Sequence, residues 1–124
     1  AKGITLVMEP VNTRVDHPGA LLDRTSEAVY IAKGVASPNF KVLYDVYHSS
    51  VEGEDPIKIL KEDAEWIDYI QFADAPGRGE PGSAGINWPA VIQAIEASGY
   101  AGPIGLEYYP TKATEASLEY IRSL

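Results

Sequence analysis

Four short apolar segments alternate along the chain with segments of helical period. The apolar segments are 4–8, 41–44, 67–70 and 103–106. Short, uniformly apolar strands that alternate with helices are typical of a parallel sheet with helical crossovers and helices packed against it. The pattern therefore predicts an α/β fold with four βα units, written (βα)₄.

Residues that begin and end helices stand between the apolar segments. Asp55 followed by Pro56 is a helix N-cap with proline in the first turn, and Asn87 opens a further helix that Gly99 ends as a left-handed C-cap. The helical period and these signals predict helices over about 25–35, 56–64, 88–98 and 114–122.

One connection does not fit a short turn. Residues 72–87 form a long segment rich in glycine and proline that includes Arg78 and Glu80. Connections of this length inside a compact domain are usually functional or disordered. The loop is therefore a candidate part of a functional site.

An oxygen-donor side chain immediately follows each of the four apolar segments: Glu9, Asp45, Gln71 and Glu107. In a parallel sheet these positions all emerge at one edge, where α/β enzymes hold their sites. A single acidic or amide residue at such a position is ordinary, because these residues often begin a loop or cap the next helix. Three carboxylates at one edge, however, raise each other's pKa unless a cation neutralises them. Because Mg²⁺ and Mn²⁺ prefer oxygen ligands, the four positions together predict a shared divalent metal site.

Three further side chains are candidates for substrate contacts. His48 lies three residues beyond Asp45, where it is a hydrogen-bond donor to substrate, a group that supports the metal ligands from behind, or an ordinary loop histidine. Arg78 and Glu80 either reach over the mouth of the site or form a solvated loop pair. In the first case the planar guanidinium of Arg78 suits a substrate carboxylate.

The composition narrows the possible partners. The chain has 10 basic and 18 acidic side chains, a formal charge of −8 and no cysteine. The negative charge disfavours nucleic acid, the absence of cysteine excludes thiolate chemistry and zinc–thiolate sites, and no apolar run is long enough to span a bilayer. We expect a soluble, cytoplasmic protein that binds neither nucleic acid nor membrane.

At these residues the chain resembles a known family. Segments 8–12, 44–48, 70–81, 85–89 and 105–108 are similar to hydroxypyruvate isomerase, of the xylose-isomerase-like TIM-barrel superfamily of sugar isomerases and epimerases. The stretches Asp-Val-Tyr-His and Gln-to-Pro-Gly-Arg-Gly-Glu-Pro are the most specific. The resemblance implies that residues 1–124 form a single (βα)₄ unit corresponding to strands five to eight of a (β/α)₈ barrel, since such a barrel takes about 250 residues.

The resemblance also implies roles for the site residues. It makes the four strand-end side chains the ligands of Mg²⁺ or Mn²⁺: Glu9, Asp45, Gln71 and Glu107. Glu9 and Glu107 would also be the acid–base pair, and His48, Arg78 and Glu80 would bind the substrate. The implied reaction is an aldose–ketose isomerisation of a small hydroxy-carbonyl acid, hydroxypyruvate to tartronate semialdehyde, by proton transfer through an enediolate; a hydride shift stays open.

Several alternatives remain at this point. A ketose 3-epimerase or an inosose dehydratase of the same superfamily would use the same metal cluster, although Gln71 stands where the epimerases tend to have histidine. An abasic-site endonuclease needs several histidines, and this chain has two. A non-catalytic half-barrel fragment is also possible. Because a half-barrel leaves sheet edges open, we expect a homo-oligomer or a missing N-terminal half-barrel as partner.

Overall fold

The structure is a computed structural model that describes residues 3–124, with Ala1 and Lys2 outside the described residues. Four strands form one sheet in the order β1-β2-β3-β4. They are β1 (Leu6–Met8), β2 (Phe40–Asp45), β3 (Ile67–Phe72) and β4 (Ile104–Leu106). Each neighbouring pair is parallel, which confirms the predicted (βα)₄ order.

Six α-helices and one 3-10 turn connect and flank the strands in the described part of the chain. They are α1 (Thr25–Val35), α2 (Val46–Glu52), α3 (Pro56–Asp63), the 3-10 turn Ala64–Trp66, α4 (Trp88–Ser98), α5 (Thr114–Ser117) and α6 (Glu119–Arg122). The predicted caps of α3 and α4 are confirmed: Asp55 accepts from the Ile57 N–H, and Gly99 is left-handed with φ 75°. Within residues 3–124, no helix has the length and apolar character needed to cross a membrane.

Two helical segments differ from the sequence prediction. Helix α2 was not predicted, because β2 passes into it with no linker: Asp45 ends the strand, and its side chain caps the helix. The single helix predicted over 114–122 is two short helices separated at Leu118. There the Ser117 hydroxyl donates to the Thr114 carbonyl at 2.8 Å, a local bond that competes with regular helix continuation.

The core lies between the sheet and helices α1, α3 and α4. The buried apolar side chains shared by these elements include Ala28, Ala32, Val42, Leu60, Ile70, Phe72, Trp88 and Val91. The rings of Phe72 and Trp88 pack with centroids 4.7 Å apart. Burial of this apolar surface holds the helices on one face of the sheet.

The strand register brings the carboxyl ends of the strands to one edge of the sheet. Asp45 pairs with Gln71 across β2 and β3, and Gln71 pairs with Gly105 across β3 and β4. Beyond the end of β4, the Glu107 N–H donates to the Phe72 carbonyl at 3.1 Å. Because side chains alternate between faces, Asp45 and Gln71 share the face opposite the core residues Tyr44 and Ile70.

Candidate active site

The edge formed by the strand ends brings together most of the side chains predicted from the sequence. Glu9 follows β1, Asp45 ends β2, Gln71 lies in β3 and Glu107 follows β4. Glu9, Asp45 and His48 can each offer one ligand atom such that these atoms lie within 4.8 Å of one another. Asp45 pairs in register with Gln71. The guanidinium of Arg78 bridges the carboxylates of Asp45 and Glu107.

Asp45 has a buried carboxyl group with a strongly shifted pKa. Its Oδ1 accepts hydrogen bonds from the N–H groups of Tyr47 at 2.8 Å and His48 at 3.2 Å. Burial raises its pKa to about 7, although these hydrogen bonds and the charge of Arg78 act in the opposite direction. A cation placed against Asp45 would therefore stabilise the ionised form.

Arg78 supplies such a charge from the long loop. Its Nη2 lies 3.3 Å from Asp45 Oδ2 and 2.5 Å from Glu107 Oε2, and its Nη1 lies 3.1 Å from His48 Nε2. The backbone of Arg78 has a left-handed φ of 55°, and its carbonyl accepts from the Tyr109 N–H at 2.8 Å. The chain thus holds Arg78 in an uncommon conformation that points the guanidinium between two carboxylates.

Gln71 contains an unpartnered polar atom. Its Oε1 is buried and accepts no hydrogen bond from any group in residues 3–124. Leaving a buried carbonyl oxygen unpaired costs about 1–3 kcal/mol. A ligand that binds this oxygen would remove that cost. Carboxylates with one carboxamide oxygen are the donor set that Mg²⁺ or Mn²⁺ takes, so the residues present fit a hard divalent metal.

The surroundings of Glu9, including the charge of Glu107, shift its pKa. Burial raises the pKa of Glu9, the charge of Glu107 raises it further, and the charge of Arg78 opposes both effects. Glu9 is half-buried and Glu107 is exposed. The two glutamates therefore occupy different environments, as an acid–base pair requires.

His48 lies on helix α2 and is buried, so the reading as an ordinary loop histidine is wrong. Its Nε2 lies 3.8 Å from Glu9 Oε1 and 3.9 Å from Asp45 Oδ2. Burial lowers the pKa of His48 to about 4, with further lowering by the charges of Arg78 and His17. The imidazole is therefore neutral at physiological pH.

A pocket of about 430 Å³ is bordered by four of these residues but not by Asp45 or Gln71. Its lining residues are Glu9, Val11, His17, His48, Arg78, Glu107, Tyr108 and Tyr109. The volume suits a small organic molecule, and the polar groups converge from three different loops and one helix. Tyr108 and Tyr109 line this pocket, whereas His17, to which the sequence assigned no role, lies 5.4 Å from the His48 ring between centroids.

The structure places Glu80 away from this pocket. Its carboxylate is buried and accepts from the Thr111 N–H at 2.9 Å and the Thr111 hydroxyl at 2.6 Å. These hydrogen bonds lower the pKa of Glu80. Because both oxygens are engaged, Glu80 fastens the long loop to the segment after β4, and it is not among the residues that line the pocket.

Sequence reasoning missed the residue that orders the long loop. Asp74 is fully buried and accepts five hydrogen bonds. Its donors are the N–H groups of Ala75, Gly82, Ala84 and Ile86, together with the Trp88 indole. An acidic residue at the start of a glycine-rich loop was the available signal, because such a loop exposes many backbone N–H groups that need an acceptor.

Comparison with known proteins agrees with this geometry. Over residues 1–124 the chain matches the family described as the xylose isomerase-like TIM barrel. A parallel sheet with flanking helices and a polar site at the carboxyl ends of the strands is the arrangement expected for part of such a barrel. The chain belongs to this family.

The proteins of similar sequence include isomerases, the class of enzyme that the sequence predicts. It is 40% identical over 119 residues to the hydroxypyruvate isomerase of Escherichia coli (strain K12), covering 95% of this chain and 45% of that protein. It is 38% identical over 122 residues to the 2-oxo-tetronate isomerase of Cupriavidus necator, covering 98% of this chain and 46% of that protein. These relatives confirm the resemblance to hydroxypyruvate isomerase. The chain spans about half the length of the curated relatives it matches.

Solved structures show the same fold. An AP endonuclease of family 2 from Brucella melitensis superposes with a TM-score of 0.91 at 34% identity, covering 98% of this chain and 46% of that one. A D-psicose 3-epimerase from Clostridium cellulolyticum H10 superposes with a TM-score of 0.77 at 22% identity, covering 86% of this chain and 36% of that one. At 22% identity, the similarity to the epimerase shows a shared fold and nothing about function.

Proposed function

We propose that this chain supplies the catalytic edge of an aldose–ketose isomerase that interconverts hydroxypyruvate and tartronate semialdehyde. The names of the relatives support the reaction class. The observation that carries the proposal is the buried, unpartnered Oε1 of Gln71, in register with Asp45 and at the same edge as Glu9 and Glu107. That set of oxygens suits a divalent metal and a substrate with adjacent carbonyl and hydroxyl oxygens.

Four side chains would hold the metal: Glu9, Asp45, Gln71 and Glu107. When bound, Mg²⁺ or Mn²⁺ polarises the substrate carbonyl and thereby makes the neighbouring C–H more acidic. A metal held by Asp45 and Glu107 would compete with Arg78 for these carboxylates, and displacement of Arg78 would free its guanidinium for another anion.

The two glutamates would move the proton. One carboxylate removes a proton from the hydroxymethyl carbon of hydroxypyruvate, and the electron pair left behind forms the enediolate. The other carboxylate helps to return a proton to the former carbonyl carbon, while the hydroxyl proton passes to the former carbonyl oxygen. The raised pKa of Glu9, which is caused chiefly by burial, supports a role for this carboxyl group in proton transfer.

Arg78 and His48, which lie side by side in the pocket lining, would bind the substrate. The released guanidinium of Arg78 fits the substrate carboxylate through paired N–H donors. His48, buried against Glu9 and Asp45, would bond a substrate oxygen. A carboxylate-binding arginine favours hydroxypyruvate over the neutral sugars taken by a ketose 3-epimerase. An abasic-site endonuclease is disfavoured because the chain has two histidines and a net charge of −8.

The chain incubated in D₂O with hydroxypyruvate and Mn²⁺ or Mg²⁺ tests this proposal. We expect tartronate semialdehyde that carries deuterium at the former carbonyl carbon, detected by NMR and mass spectrometry. Product that retains the substrate hydrogen would show hydride transfer instead. A folded, metal-loaded chain that turns over D-psicose and not hydroxypyruvate would contradict the proposed substrate.

The substitution Glu107→Gln should abolish this turnover while leaving the circular dichroism spectrum unchanged. The amide keeps the shape of the side chain but cannot accept the proton. Glu119→Gln, at an exposed glutamate of α6, is the matched control and should retain activity. A near-normal rate for Glu107→Gln would show that Glu107 does not belong to the acid–base pair.

A further inference from the structure

A fully buried amide, that of Asn12, lies directly behind His48. Its Oδ1 accepts from the backbone N–H groups of Val15 at 3.1 Å and Asp16 at 2.9 Å. Its Nδ2 donates to Asp16 Oδ2 at 2.7 Å, and that carboxylate also accepts from the Tyr47 hydroxyl. Because the oxygen faces two donors and the nitrogen faces a carboxylate, the amide has one satisfactory orientation.

This orientation places two donors on one nitrogen of His48. The second N–H of Asn12 Nδ2 faces His48 Nδ1 at 2.6 Å, and the backbone N–H of Asn12 lies 3.2 Å from the same atom. Both donors are buried and cannot turn to water, so Nδ1 must accept. In a neutral imidazole the proton is then on Nε2.

If Nε2 of His48 carries the proton, it cannot accept a hydrogen bond from Arg78, so this contact must give way. Arg78 Nη1 lies 3.1 Å from Nε2, and two N–H groups cannot bond each other. Arg78 has other acceptors in Asp45 and Glu107, whereas Asn12 has no alternative for its N–H facing His48. The Asn12 bonds therefore decide the tautomer.

We infer that Asn12 is a positioning residue that fixes His48 as the Nε2–H tautomer, so that His48 presents an N–H donor to the pocket. In this form Nε2 has no free lone pair and cannot ligate a metal, although it lies near Glu9 and Asp45. On the proposed function, His48 then donates to the substrate oxygen that gains negative charge in the enediolate. The assignment of the tautomer rests on the hydrogen bonds of Asn12 and does not depend on the proposed function.

Imidazole ¹⁵N NMR on the labelled chain tests this inference directly. The chain has two histidines, so His17→Gln assigns the signals. We expect His48 to show a protonated Nε2, an unprotonated Nδ1, and a coupling across the hydrogen bond between the Asn12 backbone nitrogen and Nδ1. A His48 protonated on Nδ1 in the wild-type chain would overturn the inference, whether or not the chain is an isomerase.

The substitution Asn12→Asp tests the role of the amide. A carboxylate oxygen facing Nδ1 accepts rather than donates, so the proton should move to Nδ1. Tyr47→Phe removes the other donor to Asp16 and should leave the His48 tautomer unchanged. An unchanged Nε2–H pattern in a folded Asn12→Asp chain would show that Asn12 does not set the tautomer. If that variant does not fold, the coupling in the wild-type chain decides, and its absence would count against Asn12.

Discussion

Arg78 determines the charge balance of the candidate site. In residues 3–124 it is the only Lys or Arg side chain paired with Asp45 or Glu107. A guanidinium and a divalent metal both neutralise carboxylates, so they compete for the same oxygens. On the proposed function, metal binding would therefore be an exchange in which the metal replaces the guanidinium of Arg78 as the neutralising charge.

The buried His48 and Asp45 predict a pH effect on stability. With its pKa lowered to about 4, folded His48 releases a proton that the unfolded chain keeps, so it makes stability rise with pH up to the ordinary histidine value. Folded Asp45, with its pKa raised to about 7, keeps a proton that the unfolded chain releases, so it makes stability fall over a similar range. In the metal-free chain these two effects largely cancel.

His48→Gln should remove the first effect and expose the second. The free energy of unfolding should then fall by about 1 kcal/mol per pH unit between the unfolded and folded pKa values of Asp45. Urea titrations over this range measure it, with Gln93→Ala at an exposed position of α4 as the control. A stability that rises with pH in His48→Gln would contradict the assigned shift of Asp45.

At the scale of elements, the long loop between β3 and α4 is an ordered structure built around one carboxylate. Asp74 accepts four backbone N–H groups and the indole of Trp88, and Glu80 joins the far side of the loop to Thr111. Between these two anchors the loop holds Arg78 over the pocket. The loop therefore positions a substrate-binding candidate through buried acids rather than through regular secondary structure.

Asp74→Asn should destabilise the chain strongly. The amide nitrogen cannot accept, so buried N–H donors lose their partner at a cost of about 2–4 kcal/mol. Urea unfolding measures this cost, and Asp68→Asn at an exposed position of β3 is the matched control. A loss below about 0.5 kcal/mol would mean that the loop does not depend on Asp74.

The sequence predicts the regular elements better than the loop contacts. Apolar segments and caps such as Asp55 identify the strands and α3 because those signals are local. Helix α2 was missed because Asp45 serves both as strand end and as N-cap, and either role alone explains an acid there. The contacts of Asn12, Asp74 and Glu80 join residues far apart in the chain, and no local pattern specifies them.

At the scale of the whole molecule, the sheet has two open edges. Leu6 of β1 is 61% exposed, and Ile104 and Leu106 of β4 are 41% and 42% exposed. Side chains of this kind are buried by neighbouring units in a complete barrel, and the chain spans about half the length of its relatives. We propose that a further (βα)₄ unit covers these edges.

The isolated chain should therefore associate with a second copy. Light scattering after gel filtration should give twice the 13.4 kDa mass of one chain at high concentration. Leu6→Lys together with Leu106→Lys should shift the equilibrium to the monomer, because a charge at each edge opposes strand addition. A wild-type chain that stays monomeric at all concentrations would contradict self-association.

The central claim is that the four strand ends form one metal site, and a Mn²⁺ titration followed by electron paramagnetic resonance tests it most directly. We predict one bound Mn²⁺ per chain. Gln71→Ala should weaken this binding by roughly tenfold or more, about 1.4 kcal/mol, whereas Gln93→Ala at an exposed position of α4 should leave it unchanged. Wild-type affinity in Gln71→Ala, or no bound Mn²⁺ in the folded wild-type chain, would contradict the account.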